Sequence, residues 1–281
     1  SSSSPILFNS TLIVTASPES ESLVGIDTKT GKQVWKQQAA GLSNIWGTPL
    51  LVTSEGQTDL VLGVPYEIWG LNPESGKLRW YSEASAEDQF NSSVVESEGV
   101  IYAIEGRSGG SQAIRAGGTG DVTKSNTLWT GRDSSRFGTP VVYEGRLYYF
   151  TSSVANCLDA KTGKKLYQGR LEGGSSSDGD SDRGGSGGGS GGGFSGGFGG
   201  GRGGRGGGGA DYSSPVVSNG KVFFVRGSGD IFVVKAGDEF EQLAVNRVTA
   251  DSENFSATPA ISDGQLFLRS NEYLYCVAAE K

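Results

Sequence analysis

The chain has 281 residues, 35% hydrophobic and 10% aromatic, with a net charge of −7. It contains no histidine, which excludes Ser-His-Asp and Cys-His catalysis and histidine-ligated metals. An acidic balance, with a pI of 4.8, argues against nucleic acid and anionic membrane surfaces as partners of the folded part, and no apolar run reaches the roughly 18 residues that span a bilayer.

The sequence opens at Ser1 with no visible signal peptide, and reads as a processed or shortened form of something longer. The first element is "SSPIL" at Pro5, a small-residue pair before a proline and two apolar residues. The same anchor returns as "GTPLL" at Pro49, "GTPVV" at Pro140, "SSPVV" at Pro215 and "ATPAI" at Pro259. A degenerate copy, "NSSVV", puts Ser93 at the proline position. The spacings are then 44, 44, 47, 75 and 44 residues, and the long one contains a Gly-rich tract at 173–209. A period near 44 lies in the range of propeller blades.

Within each period the elements are short apolar runs rich in β-branched and aromatic residues. The first unit continues into "GIDTKTGKQVW" (25–35), the second into "GLNPESGKLRW" (70–80) and the fourth into "CLDAKTGKKLY" (157–167). Each reads as a third strand, a tight turn and a fourth strand, with Gly31, Gly76 and Gly163 supplying the positive φ of the turn. In the fourth unit all four runs are clear: "TPVVYE", "RLYYFTS", "ANCLDA" and "KKLYQGR". The expected fold is therefore all-β: a β-propeller of four-stranded antiparallel blades. Six units are visible, starting near residues 2, 46, 90, 137, 212 and 256, and the last lacks a fourth strand. Either the ring is six-bladed with an incomplete last blade, or upstream blades are missing from a seven- or eight-bladed ring. The second is favoured. One domain is expected over 1–281. Trp35, Trp80, Trp129 and Tyr167 fall at one position of the fourth strand, and blade-to-blade packing is their expected role.

The unit h-x-[AG]-h-[DN]-x-x-[TS]-G-[KR]-x-x-W, with [SG]-[ST]-P-h-h opening each blade, resembles the PQQ-like β-propeller repeat family. Residues 25–35, 70–80 and 157–167 carry it best, and the third and fifth units depart from it. The resemblance implies the propeller fold and, for most of the family, a location in the periplasm or outside the cell. The family includes BamB-like assembly scaffolds and quinoprotein dehydrogenases. The dehydrogenases carry an adjacent Cys-Cys disulfide by the quinone and a calcium ion held by Glu, Asn and Asp. Here the cysteines are Cys157 and Cys276, and no such Glu-Asn-Asp set can be placed. The resemblance thus points to the non-enzymatic, BamB-like branch and to no cofactor.

Candidate ligand residues sit where loops enter the first strands. Trp46, Phe90, Phe137 and Tyr212 come three residues before the proline position, with Asn44, Gln89, Arg136, Asp211 and Asn254 beside them. Aromatic rings with convergent polar groups suit a sugar or a peptide segment, although rings that plug the channel would read the same way. Asp178, Asp180 and Asp182 begin like a calcium loop, but Arg183 and Gly189 break the pattern, so no metal site is expected. The tract at 173–209 holds 22 glycines and reads as a disordered surface insertion between the fourth and fifth blades. Arg202 and Arg205 are too few for an RNA-binding box, and Phe194 and Phe198 are candidate partner contacts. Cys157 and Cys276 match each other on third strands and are both expected to be buried free thiols. The functional expectation is a monomeric, non-catalytic binding or scaffold propeller whose partner is a protein or a polysaccharide. The alternative is a cofactor-dependent oxidoreductase or a carbohydrate-active enzyme working at the channel mouth.

Overall fold

The structure, a computed structural model, describes residues 3–84, 90–104, 109–135, 137–151, 153–174 and 211–278. The first blade is β1 (Ile6–Phe8), β2 (Thr11–Ala16), β3 (Ser22–Asp27) and β4 (Gln33–Gln38). The second is β5 (Leu50–Ser54), β6 (Gln57–Val64), β7 (Glu67–Leu71) and β8 (Leu78–Glu83). The third is β9 (Val95–Ser97), β10 (Val100–Ile104), β11 (Ser111–Arg115) and β13 (Thr127–Gly131). A short extra strand, β12 (Gly120–Asp121), leaves the third blade and pairs in parallel with β8 of the second. The fourth is β14 (Val141–Tyr143), β15 (Arg146–Thr151), β16 (Val154–Asp159) and β17 (Lys165–Arg170). The fifth is β18 (Val216–Ser218), β19 (Lys221–Val225), β20 (Ile231–Lys235) and β21 (Gln242–Asn246). The sixth holds three described strands, β22 (Ala260–Ser262), β23 (Gln265–Arg269) and β24 (Leu274–Ala278). Strand order follows chain order in every sheet, and all other pairings between these strands are antiparallel. This is the expected all-β propeller. Apart from Gly173 and Gly174, the Gly-rich tract and its Asp178–Asp182 run lie outside the described residues.

Two kinds of turn recur among the blades. In the second to sixth blades the turn between the first two strands places two successive residues at positive φ, as in Glu144 (48°) and Gly145 (72°), the geometry that matches strand twist. Between the third and fourth strands of the fourth blade the loop is pinned by its own aspartate. Asp159 Oδ1 accepts from the Thr162 amide (2.8 Å) and hydroxyl (2.6 Å), and the Gly163 amide donates to the Asp159 carbonyl (2.8 Å). Asp27 with Thr30 and Gly31 repeats this in the first blade.

The anchors join the blades. The Ser4 amide donates to Thr48 Oγ1 (3.0 Å) and the Thr48 amide to Ser93 Oγ (2.8 Å). The Ser93 amide donates to Thr139 Oγ1 (3.0 Å), the Thr139 amide to Ser214 Oγ (2.9 Å) and the Ser214 amide to Thr258 Oγ1 (3.0 Å). The hydroxyl residue before each proline thus links every blade to the next. This corrects the expectation for the third unit: Ser93 occupies the hydroxyl position, and Val94, which precedes β9, occupies the proline position. One extra residue between the second and third anchors shifts the register.

The seams between blades hold the packed aromatics. Trp80 is fully buried and Trp129 is buried, whereas Trp35 and Tyr167 are half-buried. Trp35 is paired with Gly25, Trp80 with Gly70, Trp129 with Ala113 and Tyr167 with Cys157, each next to a bulge. A Cβ built on Gly70 would lie 2.0 Å from the Trp80 ring, so only glycine fits beneath it. The same ring row reaches the next blade: a Cβ on Gly163 would lie 2.5 Å from the Trp129 ring.

Trp129→Ala is expected to lower unfolding free energy by about 3–5 kcal/mol in urea denaturation, the range for buried aromatic truncation. Thr139→Val, which leaves the Ser93 amide without its acceptor, should cost about 1 kcal/mol in the same assay.

Candidate functional site

Three of the proposed mouth residues lead into first strands at one position: Trp46, Phe137 and Tyr212, each three residues before its proline. Trp46 and Phe137 are half-buried, and Tyr212 is 52% exposed. The Phe137 and Tyr212 rings meet at 4.7 Å between centroids with a 37° tilt, so the fourth and fifth blades present one joined aromatic surface. Phe90 is not part of this row. Because of the register shift it takes the place of Ile45, with which it forms an isolated bridge, and it is 1% exposed. Its ring lies against Gly63, where a Cβ would come within 2.4 Å. Asn91 stands at the row position in its stead, and Ser256 stands there in the sixth blade.

The polar neighbours make their hydrogen bonds to neighbouring loops. Asp211 accepts from Arg226 Nε (3.3 Å) and from the Gly227 amide (2.9 Å). The Asn254 amide donates to Asn271 Oδ1 (2.7 Å), and its side chain is exposed. Asn44 is exposed with φ of 52°, and its carbonyl accepts from the Phe90 amide (3.3 Å). Gln89 and Arg136 lie outside the described residues.

Reading the sequence missed three carboxylates, the buried Asp59 and Asp230 and the half-buried Asp133. Asp59, 2% exposed, accepts from Arg79 Nη1 (2.5 Å) and Trp80 Nε1 (2.7 Å). Asp133 accepts from Tyr149 Oη (2.6 Å), Lys165 Nζ (2.8 Å) and Ser111 Oγ (3.1 Å), which joins blades three and four. Asp230 accepts from Arg247 Nε (3.0 Å) and Ser228 Oγ (2.8 Å). Each of these acids is tied to a cation and to a hydroxyl or ring N–H donor, an arrangement that fastens strands. Burial pushes the Asp133 carboxyl up, but the hydrogen bonds from Lys165, Tyr149 and Ser111 and the Lys165 charge outweigh it and hold it below the usual carboxylate range.

The two cysteines differ. Cys157 is buried, and burial pushes its thiol up to about 12. Cys276 is exposed, which corrects the expectation of two buried thiols. Cys157 is flanked by Tyr148 and Tyr167 within its sheet, whereas Cys276 is paired with Phe267 in β23 and its other side has no described strand. The quinone of the family's dehydrogenases needs flat partners on both of its faces. Phe137 and Tyr212 already touch, and a third ring between them would need a separation of about 7 Å. This pair, among the described residues, leaves no room to sandwich that group.

The profile of the family described as the outer membrane protein assembly factor BamB matches residues 1–183. The chain belongs to this family. No curated protein sequence matches the chain significantly. Among solved structures, BamB from Moraxella catarrhalis superposes with a TM-score of 0.66 at 13% identity, over 97% of this chain and 70% of that one. The quinohemoprotein alcohol dehydrogenase ADHIIG from Pseudomonas putida HK5 superposes with a TM-score of 0.53 at 15% identity, over 83% of this chain and 40% of that one. At these identities the likeness is one of fold. The family thus includes the propeller of an assembly factor, and a dehydrogenase shares the fold. Among the described residues no helix is long and apolar enough to cross a membrane.

Two outcomes follow. Asp133 is depressed in the folded state, so its contribution is present above the unfolded carboxylate pKa of about 4 and is lost as pH falls through the lower folded value. Asp133→Asn should therefore flatten the fall in stability between about pH 5 and pH 2, read by urea titration at each pH. Ellman's reagent at pH 8 should label Cys276 in the native protein and Cys157 only after unfolding.

Proposed function

We propose that this chain is a non-catalytic binding scaffold of the BamB-like family, working in the periplasm or outside the cell. Its ligand surface is the joined aromatic patch of Phe137 and Tyr212, with Trp46 on the same row. The observation that carries the reading is the contrast between the interior and the mouth. Asp59, Asp133 and Asp230 each hold a cation and another donor, so they serve as fasteners and not as general acids or bases. On the loops that enter the first strands the Tyr212 ring stands open to solvent beside Asp211, which the Gly227 amide holds, a surface suited to recognition. Net charge of −7 favours a partner surface that is basic or neutral. A protein partner fits a family described as an assembly factor, and a polysaccharide fits the exposed rings.

The test has two arms. Calorimetric titration with pyrroloquinoline quinone, with and without calcium, should give no saturable heat at micromolar concentrations. Partner capture from an extracytoplasmic fraction should fall at least about tenfold for the Phe137→Ala, Tyr212→Ala double variant at unchanged melting temperature. A calcium-dependent quinone signal lost on Trp46→Ala would overturn the reading and favour the oxidoreductase.

A further inference from the structure

The seam between blades three and four is closed by one ring. Trp129 lies beside Tyr102 (6.3 Å between centroids) and packs with Ala113, Leu147 and Leu158, and its Nε1 donates to the Ala160 carbonyl at 2.9 Å. Strand register gives the corresponding positions in blades five and six. Phe223 and Val233 stand for Tyr102 and Ala113, and Leu266 and Val277 for Leu147 and Leu158. Ile261 stands for Val142. Ala244, paired with Val233 beside the same bulge, stands for Trp129. These apolar walls are kept and the ring is gone, while Ala160 and Gly163, which also meet the Trp129 ring, have no counterpart among the described residues. A cavity of 560 Å³ opens at this seam, lined by Phe223, Val233, Ile261, Leu266 and Val277. Exposed Lys221 and Val277 at its edge show that it opens to solvent.

We propose that this cavity is a docking slot for an aromatic side chain of a protein partner, with the ring entering where Trp129 sits in the sister seam. This deepens the scaffold reading and rests on it for the partner's being a protein. The ring class follows from the molecule itself: in four other blades the position holds Trp35, Trp80, Trp129 or Tyr167. Empty apolar cavities accept small aromatic molecules, because a ring restores the dispersion contacts that the walls lack. The polar edge, Asn246 and Arg247 among it, suits the peptide groups that flank such a side chain. Arg247 is fixed there by Asp230 at 3.0 Å.

The test uses the full chain titrated with N-acetyl-tryptophanamide and with free indole, with N-acetyl-alaninamide as the blank, followed by calorimetry and by protein NMR shifts at Phe223 and Leu266. Both aromatic probes should saturate, and the blank should not. Ala244→Trp, which supplies the ring from within, should raise the melting temperature and weaken both probes at least about tenfold. Ala244→Leu is the milder filler if the tryptophan variant misfolds, and it should weaken them in the same direction. No saturable binding of either probe, or binding unchanged in the filled variants, would overturn the slot. Binding of indole without N-acetyl-tryptophanamide would overturn the protein side-chain assignment. None of these failures touches the scaffold reading, which falls instead on quinone binding.

Discussion

Each blade is a sheet that is apolar on both faces and can be covered only by its neighbours. In β6 the run from Leu60 to Val64 is buried from end to end, so the second blade cannot exist without the first and third. The seam is solved by a row that crosses the whole blade and pairs a large residue with a small one. Trp80 needs Gly70 beneath it, and Trp129 needs Ala113. A bulge sits beside each of these pairs, and the Trp35 and Trp129 rings reach Gly76 and Gly163 in the turn of the following blade. The hydroxyl-to-amide links at Ser4, Thr48, Ser93, Thr139, Ser214 and Thr258 then fix the first strands at the same offset. Proline after the hydroxyl suits this geometry, because the chain there is extended and the amide that proline lacks is not one of those used.

These local rules are why so much of the fold was legible. The turn between third and fourth strands needs Asp or Asn, a hydroxyl and glycine at fixed offsets, and "DTKTGK" states all three. The fourth-strand aromatic needs a small partner across the strand pair, and "GIDTKTGKQVW" states both. The third unit was misread where the local rule is weakest. "NSSVV" offers two serines and no proline, so either serine could be the hydroxyl anchor. What decides between them is a bond to Thr48 from 45 residues away, and no local pattern encodes it. The one-residue error then moved Phe90 from a core position to the mouth. Ile45 and Phe255 hold the same buried place in the second and sixth blades, but Arg136 and Asp211 stand there in the fourth and fifth, so the sequence offers only a broken pattern.

The polar interior was less legible for a related reason. Asp59 takes its donors from Arg79 and Trp80, and Asp133 takes its donors from Tyr149 and Lys165 of the next blade. A carboxylate opening an apolar run, as in "TDLVLGV", announces a buried acid but not its partners. Likewise both cysteines occupy the same place in their blades, yet one is buried and the other exposed. Burial on a third strand is a property of what packs beside it, and sequence periodicity reports only the face, not the cover.

The seam rule also explains how the fold persists at low identity. The row requires a volume match, not named residues: Trp over Gly, Trp over Ala and Tyr over Cys all satisfy it, and the wall residues vary between Leu, Val and Ile. Sequences can therefore drift far while each blade still meets its neighbour, and the propeller of an assembly factor and that of a dehydrogenase superpose on the same chain. The requirement ends at the loops that enter the first strands and wherever a seam is incompletely filled. There the sequence is released from packing and can be spent on recognition. In this chain the places we propose are the Phe137–Tyr212 surface and the Ala244 seam, one built by adding rings to loops and the other by withholding a ring from a row that elsewhere carries one.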